Sequence, residues 1–240
     1  MLIDFRDKVV CVTGASRGLG EAIVRAFDKE GAKLVLASRS QADLDRLAKS
    51  CNDAIAVQTD VRDPGDLERM IGAAVGEYGR VDILVNNAGL AVYGPAENTS
   101  VEAVHQMIDT NLKGVIFGSQ AAFRVMRKQR SGHIINISSI AGKLHLKNEA
   151  VYNASKWGVN GFSGTLALEA RTYNVKVSTI CPGGIATPFW KEQDFYPFPE
   201  HLDPERDFLD PKWVAQTVLD VARMPSNCLT SDMVVLPMTP

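Results

Sequence analysis

Lys8-Val9-Val10-Cys11-Val12-Thr13-Gly14-Ala15-Ser16-Arg17-Gly18-Leu19-Gly20-Glu21-Ala22-Ile23-Val24 reads as a strand, a glycine-rich turn and the start of a helix. The first six residues are a nearly continuous apolar run rather than an apolar/polar alternation, as a strand covered on both faces requires. From Leu19 the apolar positions take helical spacing. Between the two, the glycines follow G-x3-G-x-G. Glycine there lets the chain turn sharply, brings the backbone close to a pyrophosphate and lets the helix pack against the strand. The helix start then offers unpaired N–H groups and a partial positive charge to phosphate. The same residues also read as a plain glycine-rich strand–helix turn, so the motif alone leaves both readings open.

Outward from this unit the alternation repeats. Strands are expected over 8–13, 33–37, 55–58, 81–86, 133–138 and 175–181, with a weaker one over 232–236. Helices are expected over 19–30, 41–50, 64–78, 101–130, 151–171 and 211–223. Repeated strand–helix–strand units with right-handed crossovers give an α/β fold, a doubly wound, mostly parallel sheet flanked by helices. The 240 residues correspond to between one and two domains of about 150. No boundary splits the alternation, so a single domain over 1–240 is expected. Its one interruption lies at 184–210, where neither period holds. A structureless stretch of that length is functional or mobile.

Composition narrows the partners. With 45% hydrophobic and 22% charged residues the chain can build a core, which excludes a disordered chain. A formal net charge of −2 lacks the basic excess of a nucleic-acid binder. No run of about 18 apolar residues is present, so no membrane span is expected. Met1-Leu2-Ile3-Asp4-Phe5-Arg6-Asp7 places acids where a signal peptide is basic and then apolar. Cys11, Cys51, Cys181 and Cys228 stand far apart without a C-x-x-C pair. Together these suggest a reducing, cytoplasmic setting. His105, His133, His145 and His201 have no ligand spacing, so no metal site is expected.

Two further segments carry chemistry. The second strand ends Leu36-Ala37-Ser38-Arg39. Chains that bind NAD place an acid near this point for the ribose 2′-hydroxyl, whereas a guanidinium attracts the 2′-phosphate of NADP. Arg17 can close on the same phosphate, so NADP(H) is expected over NAD. Tyr152 and Lys156 are four apart and share one face of a helix. An ammonium beside a phenol stabilises the phenolate and lowers its pKa towards working pH, which suits Tyr152 to general acid–base work. Ser138 and Ser139 are both candidates to hold a substrate oxygen, but neighbours in a strand point to opposite faces.

Thr13-Gly14-Ala15-Ser16-Arg17-Gly18-Leu19-Gly20, Asn86-Asn87-Ala88-Gly89, Ser138-Ser139-Ile140-Ala141-Gly142, Tyr152-Asn153-Ala154-Ser155-Lys156 and Cys181-Pro182-Gly183-Gly184-Ile185-Ala186-Thr187-Pro188 stand in one chain in this order. In that order and spacing the chain resembles the short-chain dehydrogenase/reductase family over nearly its whole length, in particular its NADP-preferring branch of about 250 residues. The resemblance implies a Rossmann fold with seven strands in the order 3-2-1-4-5-6-7. It implies a catalytic set of Asn111, Ser139, Tyr152 and Lys156. Ser139 is chosen by its position thirteen residues ahead of Tyr152, and Asn111 as holder of a water in a proton relay. It implies cofactor contacts from Gly14, Ser16, Arg17, Gly18, Leu19, Gly20, Ser38, Arg39, Asp60, Val61, Asn87, Ala88, Gly89, Pro182, Gly183, Ile185 and Thr187, with Tyr152 and Lys156. Within that set Asp60 takes the adenine, Lys156 the nicotinamide ribose, and Ile185 and Thr187 the carboxamide and phosphates. Asn86 would stabilise the sheet and line the cofactor cleft.

The implied activity is hydride transfer between NADP(H) and a small carbonyl or secondary alcohol, such as a 3-hydroxy or 3-oxo acid. A 3-oxoacyl-[acyl-carrier-protein] reductase is a second reading. The end of the chain, Cys228-Leu229-Thr230-Ser231-Asp232-Met233-Val234-Val235-Leu236-Pro237-Met238-Thr239-Pro240, lacks the Thr-Gly-Gln…Gly-Gly of many such reductases. It looks more like 3-hydroxy acid dehydrogenases and small aldehyde reductases. A non-catalytic NADP-binding sensor or scaffold is the reading of another class. A substrate lid is expected over 189–208. Its Phe189, Trp190, Phe195, Tyr196 and Phe198 either line an apolar pocket or pack the loop over the cofactor. Leu90, Tyr93, Leu144 and His145 are candidates for the pocket rim. A homodimer or homotetramer is implied through the helices at 101–130 and 151–171.

Overall fold

The apolar runs pair into one parallel sheet in a computed structural model that describes residues 2–199 and 201–238, apart from the side chain of Glu192. Met1, Glu200 of the expected lid and Thr239-Pro240 lie outside the described residues. The chain runs β1 (Val9–Thr13), α1 (Gly18–Lys29), β2 (Lys33–Ser38), α2 (Gln41–Ala48), β3 (Ala54–Gln58), α3 (Pro64–Tyr78), β4 (Ile83–Asn86), α4 (Val101–Met107), α5 (Gly114–Gln129), β5 (Gly132–Ile137), α6 (Ala150–Arg171), β6 (Val175–Pro182), α7 (Pro204–Asp207), α8 (Pro211–Arg223) and β7 (Asp232–Val235). The sheet order is β3-β2-β1-β4-β5-β6-β7, as expected, with every pairing parallel. The order reverses between β1 and β4. That is the switch point, where open α/β sheets leave a crevice at the carboxyl ends of the strands.

Both faces of the sheet are covered. Val10, Val12, Leu34 and Leu36 pack with Ile23 and Phe27 of α1, Leu44 of α2 and Val218 of α8. Val9, Cys11, Val35 and Leu84 face the other way, against Leu67 and Met70 of α3, Met126 of α5 and Leu166 of α6. Phe27 is fully buried and meets Phe5 edge-on, ring centroids 5.1 Å apart. Among the described residues no helix is long and apolar enough to cross a membrane.

Helix starts differ in a way that matters at the site. Ser40 caps α2, Asp63 caps α3 and Asp210 caps α8, each by a side-chain oxygen that accepts a backbone N–H. Arg17, ahead of α1, and Glu149, ahead of α6, make no such bond. Those N–H groups are left for another acceptor. The helix expected over 101–130 is continuous but not uniform. A π-helical turn at Ile108–Lys113 joins α4 to α5. The stretch expected to be structureless is partly ordered. A 3₁₀ turn covers Pro188–Glu192, α7 follows, and a parallel bridge between Ile185 and Leu209 closes its neck.

Candidate active site

A cleft of about 810 Å³ opens along the carboxyl ends of the strands. Its first wall is main chain. Gly14 and Gly18 adopt φ of 62° and 57°, the left-handed region that glycine enters without strain. A Cβ on Gly20 would lie 2.0 Å from the Gly14 carbonyl oxygen and 2.7 Å from Asn87 Nδ2. The Asn87-Ala88-Gly89 segment is tied to this turn. Thr13 Oγ1 accepts from the N–H of Asn87 at 3.0 Å and of Ala88 at 3.1 Å, and Asn87 Nδ2 donates to the Thr13 carbonyl at 2.9 Å. The turn is thus braced from β4, with the uncapped start of α1 facing the cleft. That is the arrangement a pyrophosphate requires.

Ser38, Arg39, Asp60, Val61 and Arg62 line the same cleft where β2 and β3 end. The Arg39 backbone is pinned by Gln58 Nε2, which donates to its carbonyl at 3.0 Å. The Asp60 carboxylate accepts three hydrogen bonds from the Arg62 guanidinium, 2.5 Å at the shortest, and this guanidinium holds its pKa below the usual value.

The second wall belongs to β5 and α6. The strand stops at Ile137, so strand alternation does not apply to the two serines, and both border the cleft. Ser138 turns inward, buried, and its Oγ donates to the Lys156 carbonyl at 3.3 Å. Ser139 faces the cleft, where its hydroxyl lies near enough to Tyr152 to oppose the rise in that residue's pKa. Lys156 Nζ donates to the Ile137 carbonyl at 3.1 Å and lies 5.7 Å from the Tyr152 ring centroid. The expected lowering of the phenol is not what the chain by itself produces. Burial pushes Tyr152 up to about 12 and Lys156 down to about 8. Desolvation penalises each charged form, and here it outweighs the attraction between them.

All the cofactor residues expected from the sequence line this cleft, as do Ser139, Tyr152 and Lys156. Asn111 does not. It is fully buried behind Gly89, in the π-helical turn. Its Nδ2 donates to the Leu90 carbonyl at 2.8 Å and to Ser155 Oγ at 3.1 Å, and its Oδ1 accepts from the Leu90 N–H at 2.9 Å. Asn111 thereby fixes the loop after β4 against α6. Asn86 stabilises the sheet as expected, donating to Asn136 Oδ1 at 2.8 Å and Ser119 Oγ at 3.0 Å, but it is not on the cleft wall. Its side chain points between β4, β5 and α5.

The rim is a corrected set. Leu90 and Tyr93 line the cleft, whereas Leu144 is exposed and His145 stacks on Trp157, ring centroids 5.3 Å apart. Residues the sequence reading missed include Glu149, Leu146, Gln106 and Gln193. Glu149 had one signal, its place three ahead of Tyr152. Of the aromatic residues expected in the lid, Phe189, Trp190, Tyr196 and Phe198 pack on one another, while Phe195 is exposed. Trp190 stacks on Tyr93 at 5.8 Å and 6°, and packs edge-on against Phe189, Tyr196, Phe198 and Phe208. Phe189, Trp190 and Phe198 also line the cleft.

The chain is similar to known proteins. The family model described as short chain dehydrogenase matches residues 8–195. An uncharacterized oxidoreductase of Staphylococcus epidermidis is 34% identical over 233 residues, covering 97% of this chain and 98% of its own. The sepiapterin reductase of Chlorobaculum tepidum is 31% identical, over 95% of this chain and 96% of that one. Among solved structures, the closed form of a serine dehydrogenase complexed with NADP+ superposes with a TM-score of 0.88 at 34% identity, covering 95% of this chain and 94% of that one.

Proposed function

The chain belongs to the short-chain dehydrogenase family, and from that premise we propose that it is an NADP(H)-dependent oxidoreductase acting on a small carbonyl or secondary alcohol, with Tyr152 as general acid and base. The observation that carries this reading is the half-buried Tyr152, beside Ser139 and with Lys156 one turn on, in the same cleft as the uncapped glycine turn. The NADP+ in the serine dehydrogenase structure supports the choice of cofactor.

The residues present fit such a cofactor, because the Gly20 position has no room for a Cβ while the start of α1 lacks an acceptor. Gly14, Ser16, Arg17, Gly18, Leu19 and Gly20 would hold its pyrophosphate, and Ser38 and Arg39 its 2′-phosphate. Asp60 and Val61 would border the adenine, Asn87, Ala88 and Gly89 the middle of the cleft, and Pro182, Gly183, Ile185 and Thr187 the nicotinamide end. When bound, the nicotinamide supplies or accepts the hydride. In the reducing direction Tyr152 gives its proton to the carbonyl oxygen, and Ser139 donates a hydrogen bond to that oxygen as charge develops. Lys156 holds ribose hydroxyls and stabilises the phenolate left on Tyr152. Asn111 acts through the loop it pins, as a positioning residue. In the oxidising direction the same atoms work in reverse.

The 189–208 segment serves as the substrate lid of a single domain over 1–240. Two relatives of similar likeness carry different substrates in their names, sepiapterin and serine. Specificity therefore rests on this lid and the strand-end loops, and a 3-hydroxy or 3-oxo acid or another small carbonyl compound fits the cleft. A homodimer or homotetramer through α5 and α6 is supported by Gly161 and Gly164, whose open sides meet nothing within 4 Å. A monomeric mass at micromolar concentration would refute it. The free cysteines fit a cytoplasmic location.

The test is an NADPH-oxidation screen across 3-oxo acids, 3-oxoacyl thioesters, small aldehydes and ketones, run with Tyr152→Phe beside the wild type. Loss of the phenolic proton lowers kcat by about 10³-fold and leaves NADPH affinity within a few-fold. Full activity in that variant defeats the mechanism, and NADPH binding without turnover of any carbonyl favours the sensor reading.

A further inference from the structure

Glu149 has no role in the mechanism above. It stands at the mouth of α6, three residues ahead of Tyr152, and is 5% exposed, its side chain on the wall of the cleft. Among the described residues its carboxyl has no hydrogen-bond or ion-pair partner, and it makes no cap to its own helix. Burial is the cause that moves its acidity, up to about 7. The titratable groups that couple to it are two phenols, Tyr93 from the loop after β4 and Tyr152 of α6. Lys156, one of the cations of the same cleft, makes no ion pair with it. A nearly buried carboxylate without a cation is unfavourable unless a ligand brings one.

The surroundings match that need. Tyr93 is buried, meets Tyr152 edge-on at 5.8 Å and lies flat against Trp190. Tyr93, Trp190 and Glu149 all line the one cleft. Aromatic rings that line the same cleft as a carboxylate add cation–π attraction for an alkylammonium to the ion pair. Positions three apart at a helix start put Cβ atoms about 5–6 Å from each other. A charge held by Glu149 would thus lie within the length of a small molecule from a carbon reacting at Tyr152, since both residues line one cleft.

We propose that Glu149 determines substrate class in this cleft by binding the ammonium of an amine-bearing carbonyl or alcohol, against the rings of Tyr93 and Trp190. The proposal rests on the oxidoreductase reading for the place of the reacting carbon. It needs the ionised carboxyl, so the advantage of an amine grows with pH through the neutral range.

Three alcohols of one shape test it: 1-amino-2-propanol, 1,2-propanediol and 2-butanol, titrated into the protein at saturating NADPH, where no turnover occurs. At pH 8 the amine binds at least tenfold more tightly than 2-butanol, and more tightly than the diol. Below pH 6 that ratio falls towards one. In Glu149→Gln and Glu149→Ala it is near one at both pH values. A ratio near one in the wild type at pH 8, a diol that equals the amine, or a preference kept in both variants overturns the proposal. Oxidation of the same alcohols with NADP+ reads the parent reading separately. Binding that depends on Glu149 without turnover defeats the oxidoreductase reading alone, and turnover without amine preference defeats the Glu149 proposal alone.

Discussion

At the end of the cleft formed by β1, β2 and β4 the wall is main chain, glycines in left-handed turns braced by Thr13 and Asn87. At the end formed by the 188–208 segment the wall is side chain, rings packed on rings around Trp190 with few hydrogen bonds to the sheet. The first surface admits almost no substitution, because an added Cβ meets backbone that cannot move aside. The second can exchange one ring for another of similar size and still close. A fold that keeps one cofactor and changes substrates would be expected to divide its labour this way, rigid where the ligand is constant and side-chain-built where it varies.

Several substitutions would break or sharpen that contrast. The largest effect belongs to Gly20→Ala, whose methyl would sit 2.0 Å from the Gly14 carbonyl oxygen. NADPH affinity falls by about 100-fold or more, since the turn or the start of α1 has to move. Fluorescence titration measures this, and unchanged affinity would remove the case for a main-chain cradle. Next comes Arg39→Asp, which replaces an attraction for the 2′-phosphate with a repulsion. The ratio of kcat/KM for NADPH over NADH drops by about 30-fold, and a wild type that prefers NADH contradicts the role given to Arg39.

Trp190→Ala acts on the other end. Removing this ring from its cluster raises the substrate KM by about tenfold, with NADPH affinity within twofold, as the loss of side-chain contacts predicts. Equal losses in both would mean that the two ends are not independent.

The smallest effect is on stability and depends on pH. Burial raises the Glu149 carboxyl in the folded protein to about 7, from an ordinary value of 4.5. The folded state therefore holds the proton more tightly. The stability this gives is full below the unfolded pKa and is lost as pH rises through about 7. Glu149→Gln is neutral at every pH, so its Tm matches the wild type near pH 5 and exceeds it by about 2–5 °C near pH 8. A gap of the same size at both pH values would mean that packing, not charge, sets the difference.

Much of this molecule is legible in local pattern. Continuous apolar runs and 3.6-residue periods place the strands and long helices, and the strand order follows the family resemblance. The phosphate turn is legible because its chemistry is backbone chemistry, and a glycine is visible as a letter. Tyr152 and Lys156 are legible as a pair because helical spacing is enough to bring them together. The 184–210 stretch was less so, since its order comes from the Ile185–Leu209 bridge and from rings that meet across it.

The sequence by itself determined which residues could turn, donate, accept or carry charge, and in what order the chain presents them. Only the tertiary structure decided what each then experiences. It put Asn111 behind Gly89, turned Ser138 away and Ser139 towards Tyr152, and left Glu149 without a cation. Spacing along the chain sets local neighbours. Burial and acidity are sums over neighbours from several elements, and those meet only when the sheet and its helices have packed.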